Sequence, residues 1–569
     1  DRKIIRPVHP EGKKLRFNWN AGFAQDPFDK TTIYYGSQYL HKSTDRGNNW
    51  IIISPDLTTN DTTKQKQLDS GGLTYDVTNA ENFTTIISIA PSSVKEGVIW
   101  VGTDDGNLQL TKDGGKTWEN VIKNIKGVPE GSLIPQIRAS TYSAEEAFVV
   151  INNYRRDDWK PYLFYTNDFG KTWKPFVKEG DVSGYVLSFI QDPVERNLFF
   201  LGTEFGLYLS IDAGKTWTKW TNGYPTVSTY DLAIHPREHD LVIGTFGRSV
   251  YIFDDIRPLR GIAKEGLKLF DKKVVAFDIP DAYRYTQKQA PGLRFAAAAE
   301  FKGDNLQQGA MITYYLAPDT AQTNNKVKIQ IYDANNNLIR TFVNKYEKGI
   351  NRTFWGFERK GVRFPGSPKP TEDSEPTGPN VLPGNYKVKI SLRNNVDSTF
   401  VTIKNDPRLN IDLANLLERE NLINQLTSKI EVITKASDNI EGAVKTINLI
   451  EEKLKERKDT IFQKIVKDCK NLKEELKNLN ELINQPRVQG IRTDEDKLAA
   501  RLRRAYSALT GYYDKPGDNE RISMKLVDDS INEILPKINF FFEQKWKSFR
   551  DNVEKVHINL FEDYQPLKL

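Results

Sequence analysis

Four near-copies of one octapeptide constrain this chain more than any other feature of its sequence. They read STDRGNNW at 43–50, TKDGGKTW at 111–118, TNDFGKTW at 166–173 and SIDAGKTW at 210–217. The aspartates at the third position lie 68, 55 and 44 residues apart. Recurrence at such a spacing indicates one supersecondary unit that is repeated along the first half of the chain.

The octapeptide has the chemistry of a hairpin turn. Its Asp carboxylate can accept hydrogen bonds from the backbone N–H groups that follow it. The Gly two residues later tolerates a positive φ. The Trp three residues further on can fill the space between neighbouring sheets. We therefore predict structural roles for Asp45, Gly47, Trp50, Asp113, Gly115, Trp118, Asp168, Gly170, Trp173, Asp212, Gly214 and Trp217.

Each copy sits in a longer frame of strands and turns. A β-rich run, a glycine turn and a short strand precede the octapeptide, as in VIWVGTDDGNLQLTKD, and a further strand comes before them. A fifth unit, LVIGTFGRSVYIFDD at 241–255, lacks the octapeptide. Four strands in about 40 to 50 residues is the size of one β-propeller blade. We predict five blades, starting near residues 16, 84, 136, 184 and 228, with an insertion at 54–83.

Two further regions follow the repeats. Val327, Ile329 and Ile331 alternate with polar residues, which predicts half-buried strands of a small Ig-like or fibronectin-like sandwich. From Ile461 to Ile483 the apolar residues step by three and four, which predicts a helical bundle. The fold class is multidomain, mainly β and then α. The predicted domains are propeller blades at 1–258, a connector at 259–300, a sandwich at 301–408 and a helical bundle at 409–569.

The composition limits the kinds of partner that the chain is expected to bind. The chain has 81 Lys and Arg against 75 Asp and Glu, without a tight basic cluster, so no nucleic-acid partner is expected. Cys469 is the single cysteine, which excludes an intrachain disulfide. We expect a buried structural thiol there, on the apolar stripe of its helix. No stretch approaches the ~18 apolar residues of a membrane span.

The motif S/T-x-D-x-G-x-T-W resembles the Asp box, or BNR repeat, of sialidases, two-propeller xyloglucanases and Vps10/sortilin propellers. The wider run, including GTEFGLYLSIDAGKTW and IHPREHDLVIGTFGRSVYIFDD, is similar to bacterial sortilin-like BNR-repeat proteins, often labelled glycosyl hydrolases. That resemblance implies a propeller, a sandwich and a helical tail. It also implies an extracytoplasmic location, either periplasmic, outer-membrane-associated or secreted, and a protein or peptide partner.

The resemblance also bears on the length of the protein. Proteins of that family are larger than this chain, and known Asp-box propellers mostly close with six or more blades. We therefore expect the chain to be the C-terminal part of a longer protein, with further blades and an export signal upstream.

Catalytic candidates are few. A sialidase needs an arginine triad introduced by Arg-Ile-Pro, whereas residues 5–7 read Ile-Arg-Pro. A glycoside hydrolase needs two carboxylates roughly 5 to 9.5 Å apart. Asp104, Asp105 and Glu204, in the GTDDG and GTEFG turns, are the weak candidates, and the competing interpretation is that they are ordinary solvated turn residues.

Metal and cofactor chemistry has less support. The pair His235 and His239 lies in a turn, whereas ligands four residues apart converge on a helical face. We expect no metal site and no cofactor, with calcium in an acidic loop left open. We predict a non-enzymatic binding or scaffold protein that recognises a protein or peptide through the propeller, with a glycan left open as a ligand. The alternatives are a glycoside hydrolase acting on a polysaccharide and a subunit of a cell-envelope complex at the outer membrane.

Overall fold

The structure is a computed structural model that describes residues 4–65, 82–285, 306–317, 326–371, 374–486, 496–556, 564 and 566–567. Parts of the predicted insertion, connector, sandwich and bundle therefore lie outside the described residues. The chain divides into two compact units, Asp1–Asp271 and Lys272–Leu569. The predicted boundaries at 258, 300 and 408 stay predictions.

Five antiparallel sheets make up the described part of the first unit, and in each the strands follow one another in chain order. Sheet I contains β1 (Phe23–Gln25), β2 (Ile33–Gly36), β3 (Leu40–Ser43) and β4 (Ile51–Ile52). Sheet II contains β5 (Ile86–Pro91), β6 (Ile99–Thr103), β7 (Leu108–Thr111) and β8 (Glu119–Asn120). Sheet III contains β9 (Leu133–Ala139), β10 (Ala147–Asn153), β11 (Asp158–Thr166) and β12 (Lys174–Pro175). Sheet IV contains β13 (Val186–Gln191), β14 (Phe199–Thr203), β15 (Gly206–Ser210) and β16 (Thr218–Trp220). Sheet V contains β17 (Thr229–Ile234), β18 (Leu241–Thr245) and β19 (Val250–Phe253).

Successive sheets pack face to face, which makes the first unit propeller-like. Side chains on a strand alternate between its two faces. On β6, Ile99 and Val101 join the core shared with sheet I, whereas Trp100 joins the core shared with sheet III. Both faces of this strand are covered, and all five of its residues are buried. That burial explains why its sequence, IWVGT, is a continuous apolar run without polar alternation.

Each Asp box closes the turn between the third and fourth strands of its sheet. In sheet II, Asp113 Oδ1 accepts hydrogen bonds from the backbone N–H of Thr117 at 3.0 Å and from the hydroxyl of Thr111 at 2.9 Å. Asp113 Oδ2 accepts the Thr117 hydroxyl at 2.6 Å. These hydrogen bonds, the Thr117 hydroxyl first, lower the pKa of Asp113 to about 2. The same carboxylate pattern is present at Asp45, Asp168 and Asp212.

A second hydrogen bond ties each box to the first hairpin of its own sheet. The residue after the box aspartate donates its backbone N–H to a carbonyl in the turn between the first two strands. The four pairs are Arg46 to Thr31 and Gly114 to Gly97 at 3.0 Å, and Phe169 to Glu145 and Ala213 to Asn197 at 3.1 Å. The two turns at this edge of each sheet are therefore held together.

The box tryptophans contact the preceding part of the chain. Trp118 donates its indole N–H to the Ile53 carbonyl, which follows sheet I, at 3.2 Å. Trp173 lies edge-on to Trp100 of sheet II, with 5.9 Å between ring centroids. Trp217 makes a similar contact with Phe176, at 6.2 Å. Trp50 donates to the Ile5 carbonyl at 2.8 Å.

Sheet V replaces the box with a helix that the sequence analysis did not predict. Ile256 donates its backbone N–H to the His239 carbonyl at 2.9 Å, and helix α1 (Arg257–Glu265) follows directly. Arg260 of α1 donates through Nε to both carboxylate oxygens of the buried Asp192, at 3.0 and 2.9 Å. Because Asp192 follows β13, this ion pair anchors the helix to sheet IV.

The second unit begins with β-structure. Sheet VI contains β20 (Val274–Ala276), β22 (Ala310–Leu316) and β25 (Gly349–Trp355). Sheet VII contains β21 (Ala282–Arg284), β23 (Lys326–Tyr332), β24 (Leu338–Lys345), β28 (Gly384–Leu392) and β29 (Asn395–Asn405). Sheet VIII pairs β26 (Glu358–Lys360) with β27 (Thr377–Asn380). Ile312 and Tyr314 of sheet VI share one core with Ile329 and Ile390 of sheet VII.

Helices complete the second unit. They are α2 (Leu413–Leu454), α3 (Thr460–Ile483), α4 (Leu498–Thr510), α5 (Asp518–Phe540) and α6 (Lys547–Glu554). Cys469 lies fully buried in their common core, and burial raises the pKa of its thiol to about 11. Among the residues described, no helix combines the length and apolar character needed to cross a membrane.

The adjacent residues Gly114 and Gly115 allow a direct test of how closely the second box approaches Ile53, which follows sheet I. A Cβ at Gly115 would lie 2.4 Å from the Ile53 carbonyl oxygen, whereas a Cβ at Gly114 would meet nothing within 4 Å. Both residues have positive φ, so alanine costs backbone strain of about 1 to 2 kcal/mol at either position. Gly115→Ala should destabilise the first unit by roughly a further 1 to 3 kcal/mol through the backbone clash.

Urea unfolding followed by tryptophan fluorescence measures both variants, because eight of the ten tryptophans lie in the first unit. Equal losses in Gly114→Ala and Gly115→Ala would show that close approach to Ile53 is not needed.

Candidate functional site

The strands of each sheet in the first unit end at two opposite sides, and each turn lies at one side or the other. We use edge for such a side, where strands end, and not for an outermost strand. In an up-and-down antiparallel sheet, the turn between strands two and three lies opposite the other two turns. We call the edge that carries the Asp boxes the box edge. The opposite edge, here the loop edge, carries the turns after β2, β6, β10, β14 and β18 and the connections from one sheet to the next. A hydrogen bond of 3.5 Å from Asn20 to the Tyr230 hydroxyl joins sheets I and V at this edge.

Asp104 lies at the loop edge, and its carboxylate is only 3% exposed. Its Oδ1 accepts the backbone N–H of Thr85 at 2.8 Å, and its Oδ2 accepts the Thr85 hydroxyl at 2.7 Å and the Asn18 amide at 3.0 Å. Burial raises the pKa of Asp104 to about 6, against the lowering effect of the hydrogen bonds from Thr85. Both oxygens are occupied, so the carboxyl links three segments of the fold.

Asp105 is similarly buried and bonded. Its Oδ2 accepts the backbone N–H and the hydroxyl of Thr59 at 2.7 and 2.6 Å, and its Oδ1 accepts the Thr103 hydroxyl at 2.5 Å. Asp105 therefore holds the segment after sheet I against the turn of sheet II. The competing interpretation of these two aspartates as solvated turn residues is wrong, because both are buried and hydrogen-bonded within the protein.

Glu204 differs from both aspartates. It lies in the turn between β14 and β15, and its Oε2 is buried without a hydrogen-bond partner in the described part of the chain. Its carboxylate is close enough to Tyr185 to contribute, after burial, to raising the pKa of that phenol to about 12. Of the three predicted carboxylates, Glu204 alone retains an unused acceptor.

An aromatic cluster surrounds this turn. Tyr154 stacks on Tyr185 with centroids 5.0 Å apart and rings 14° from parallel, and Trp159 contacts Tyr185 at 5.6 Å. The ring of Phe205 lies over Gly184, where an added Cβ would meet it at 2.8 Å. We call Tyr154, Trp159, Tyr185 and Phe205 the aromatic cluster.

Exposed aromatic residues concentrate at the loop edge. Seven aromatic side chains are exposed among the described residues of the first unit. Six lie at the loop edge: Trp19, Phe23, Trp159, Phe205, Tyr230 and Phe246. The seventh is Phe28, in a turn at the box edge. Single exposed apolar residues are normal, but their gathering on one edge is typical of an interaction surface.

The sequence analysis missed the aromatic cluster. The segment NNYRRDDW at 152–159 carries the only available signal, because two aromatic residues in a polar turn have no core to fill. Tyr185 and Phe205 belong to different turns, and nothing in their local sequence indicates that Tyr185 meets Tyr154 and Trp159 or that Phe205 lies over Gly184. Their association requires sheets III and IV to be neighbours.

The metal candidates stay apart in the described residues. His239 Nδ1 lies 3.0 Å from the guanidinium of Arg260, and His235 Nδ1 accepts the backbone N–H of Glu238. No group of three or more His, Cys, Asp or Glu side chains is arranged to hold an ion within the ranges described. The absence of a cofactor stays a prediction.

One segment matches a known family. The BNR/Asp-box repeat matches residues 164–175, which contain the third box. No curated protein matches the chain. The family match covers the turn that Asp168, Gly170 and Trp173 close, and no residue of the loop edge.

Several solved structures show a partial likeness. The GH74 xyloglucanase from Xanthomonas campestris is 17% identical, with a TM-score of 0.30, over 46% of this chain and 40% of that one. The GH74 enzyme from Niastella koreensis is 14% identical, with a TM-score of 0.30, over 66% and 56%. YCF48 from Cyanidioschyzon merolae is 12% identical, with a TM-score of 0.27, over 43% and 73%. The chain thus spans 40% to 56% of these two hydrolases, and likeness at this level assigns no activity.

The raised pKa of Asp104 makes stability depend on pH with a defined sign. The folded-state pKa of about 6 lies above the ordinary 3.8, so the folded state binds this proton more tightly than the unfolded state. The resulting stabilisation is complete below pH 3.8 and is lost as the pH rises through 6. Between pH 4.5 and 7 the free energy of unfolding of the wild type should fall by about 2 kcal/mol relative to that of Asp104→Asn.

The matched control is Asp113→Asn, because hydrogen bonds lower the pKa of Asp113 to about 2. The difference in free energy of unfolding between the wild type and Asp113→Asn, measured with urea, should not change between pH 4.5 and 7. If the difference in free energy of unfolding between the wild type and Asp104→Asn did not change with pH either, Asp104 would be ionised throughout this range.

Proposed function

We propose that this chain is a non-enzymatic binding or scaffold protein that holds a protein or peptide partner through its loop edge. The observation that carries the proposal is the gathering of six exposed aromatic side chains at that edge. Aromatic residues are enriched in the centres of protein interfaces because they supply large contact areas at a low cost in conformational entropy.

The finer architecture belongs to the same proposal. We infer that sheets I to V are blades of an Asp-box β-propeller, and that sheets VI and VII form an Ig-like sandwich. The face-to-face cores of successive sheets and the bond from Asn20 to Tyr230 support the first inference. The shared core of sheets VI and VII supports the second. The extracytoplasmic location and the cell-envelope partner stay predictions.

The test uses peptides selected for binding. The wild-type chain is immobilised, a displayed random-peptide library is selected on it, and the affinities of selected peptides are measured by fluorescence anisotropy. The double variant Trp159→Ala/Phe246→Ala should bind at least about tenfold more weakly, as expected for loss of interface anchors. Both side chains are exposed, so the fold should persist.

Phe28→Ala is the matched control, because Phe28 is about as exposed as Trp159 but lies at the box edge. It should retain wild-type affinity. The proposal fails if selected peptides lose affinity in Phe28→Ala but bind the loop-edge variant normally, or if no peptide is enriched on the wild type.

A glycoside hydrolase is the second candidate. One specific observation favours it: Asp104, with a raised pKa, and Glu204, with a free oxygen, lie at the same edge. The complete hydrogen bonding of Asp104 opposes it, because a general acid must be able to donate its proton to a substrate. We therefore give it second place.

Reducing-end assays on a panel of polysaccharides separate the two candidates. The wild type should release no more reducing ends from the polysaccharides than Glu204→Gln does. Release by the wild type that Glu204→Gln abolishes, with circular dichroism unchanged, would replace the binding function by hydrolysis.

A further inference from the structure

Arg284 is a buried cation whose donors are incompletely used. It ends β21, at the start of the second unit, and is only 4% exposed. Its Nε and Nη1 have no hydrogen-bond partner among the described residues. The ring of Tyr513, between α4 and α5, lies against the guanidinium at 4.4 Å, which covers one face but accepts neither N–H in its plane.

The charges around Arg284 do not balance. Glu420 lies nearby, but its carboxylate is paired with Arg359. Arg419 is paired with Glu520 at 3.3 Å. These four groups cancel, so the charge of Arg284 is the excess, and no carboxylate forms an ion pair with it in the described part of the chain. An arginine stays protonated in proteins, so the excess is permanent.

A small cavity adjoins the guanidinium. Its volume is about 30 Å³, and it is lined by Arg284, Asn380, Leu416, Arg419, Glu420 and Tyr513 among others. The carboxylate among them, Glu420, is the one paired with Arg359. The donors of Arg419 are already used by the backbone carbonyls of residues 508, 509 and 514 and by Glu520. Arg284 therefore supplies the free donors of this cavity.

We propose that the cavity binds one small inorganic anion of halide size, held by the Nε and Nη1 of Arg284. Water in the cavity satisfies the two N–H donors but leaves the charge uncompensated. A halide satisfies both, which favours it in a buried site because an unpaired buried charge is strongly unfavourable. The volume suits one water-sized or halide-sized occupant.

The position of the cavity gives the anion a structural consequence. Arg284 and Asn380 belong to the β-structure of the second unit, whereas Leu416, Ile423 and Tyr513 belong to its helical part. An anion here binds the folded arrangement and not the unfolded chain, so it stabilises by mass action. The second unit then becomes more stable as halide concentration rises.

The first experiment measures thermal unfolding of the full chain. Potassium gluconate is replaced stepwise by potassium bromide at constant ionic strength. The wild type should show a saturable rise of about 2 °C or more in the midpoint of the second unit. Arg284→Met should lose that rise, whereas Arg550→Met, which removes an exposed arginine of α6, should keep it.

The second experiment stays decisive if Arg284→Met does not fold. Wild-type crystals grown in bromide are measured at the bromine absorption edge, and an anomalous peak beside Nε and Nη1 of Arg284 is expected. Absence of that peak, with ordinary water density in the cavity, overturns the proposal. A bromide response that is the same in wild type and Arg284→Met also overturns it.

Discussion

The hydrogen bond from the residue after each box aspartate to the neighbouring hairpin is the interaction on which the first unit depends. The fourth strands of its sheets are only two or three residues long. Strands this short add few ladder hydrogen bonds and cannot hold themselves in place. The box supplies the missing constraint, since its carboxylate orders the turn and its backbone N–H joins that turn to the first hairpin. The box tryptophan is thereby held in a fixed position, in contact with the preceding part of the chain.

Much of this local chemistry could be predicted from the sequence, because it involves residues within eight positions of one another. The roles predicted for Asp113 and for the positive φ of Gly115 depend on turn geometry that the octapeptide itself contains. The contacts of Gly115 and Trp118 with Ile53 lie outside it. The hydroxyl at the first box position was missed, although Thr111 both donates to Asp113 and accepts the N–H of Gly115. Its recurrence as Ser or Thr in all four copies was the available signal.

What the sequence could not predict involves residues far apart in the chain. Helix α1 stands where a box would otherwise be, and its anchor, Asp192, is 68 residues away from Arg260. The difference between Asp104 and Glu204 has the same origin. Both follow a Gly-Thr strand end, but Asn18 and Thr85 reach Asp104, whereas Glu204 faces an aromatic cluster that offers its Oε2 no donor. Equivalent positions in a repeat thus acquire different chemistry from their neighbours.

The two edges of the first unit therefore differ in how their side chains are used. At the box edge, polar groups are paired within the protein, and the pKa of Asp113 is lowered because its charged form is the one that is bonded. At the loop edge, the side chains with unused capacity are the exposed aromatics and Glu204. Exposed rings contribute little to folding because they remove little apolar surface from water. The exposed residues of the loop edge can consequently differ between related chains without loss of the fold, whereas Asp104 and Asp105 at the same edge are held by structural hydrogen bonds.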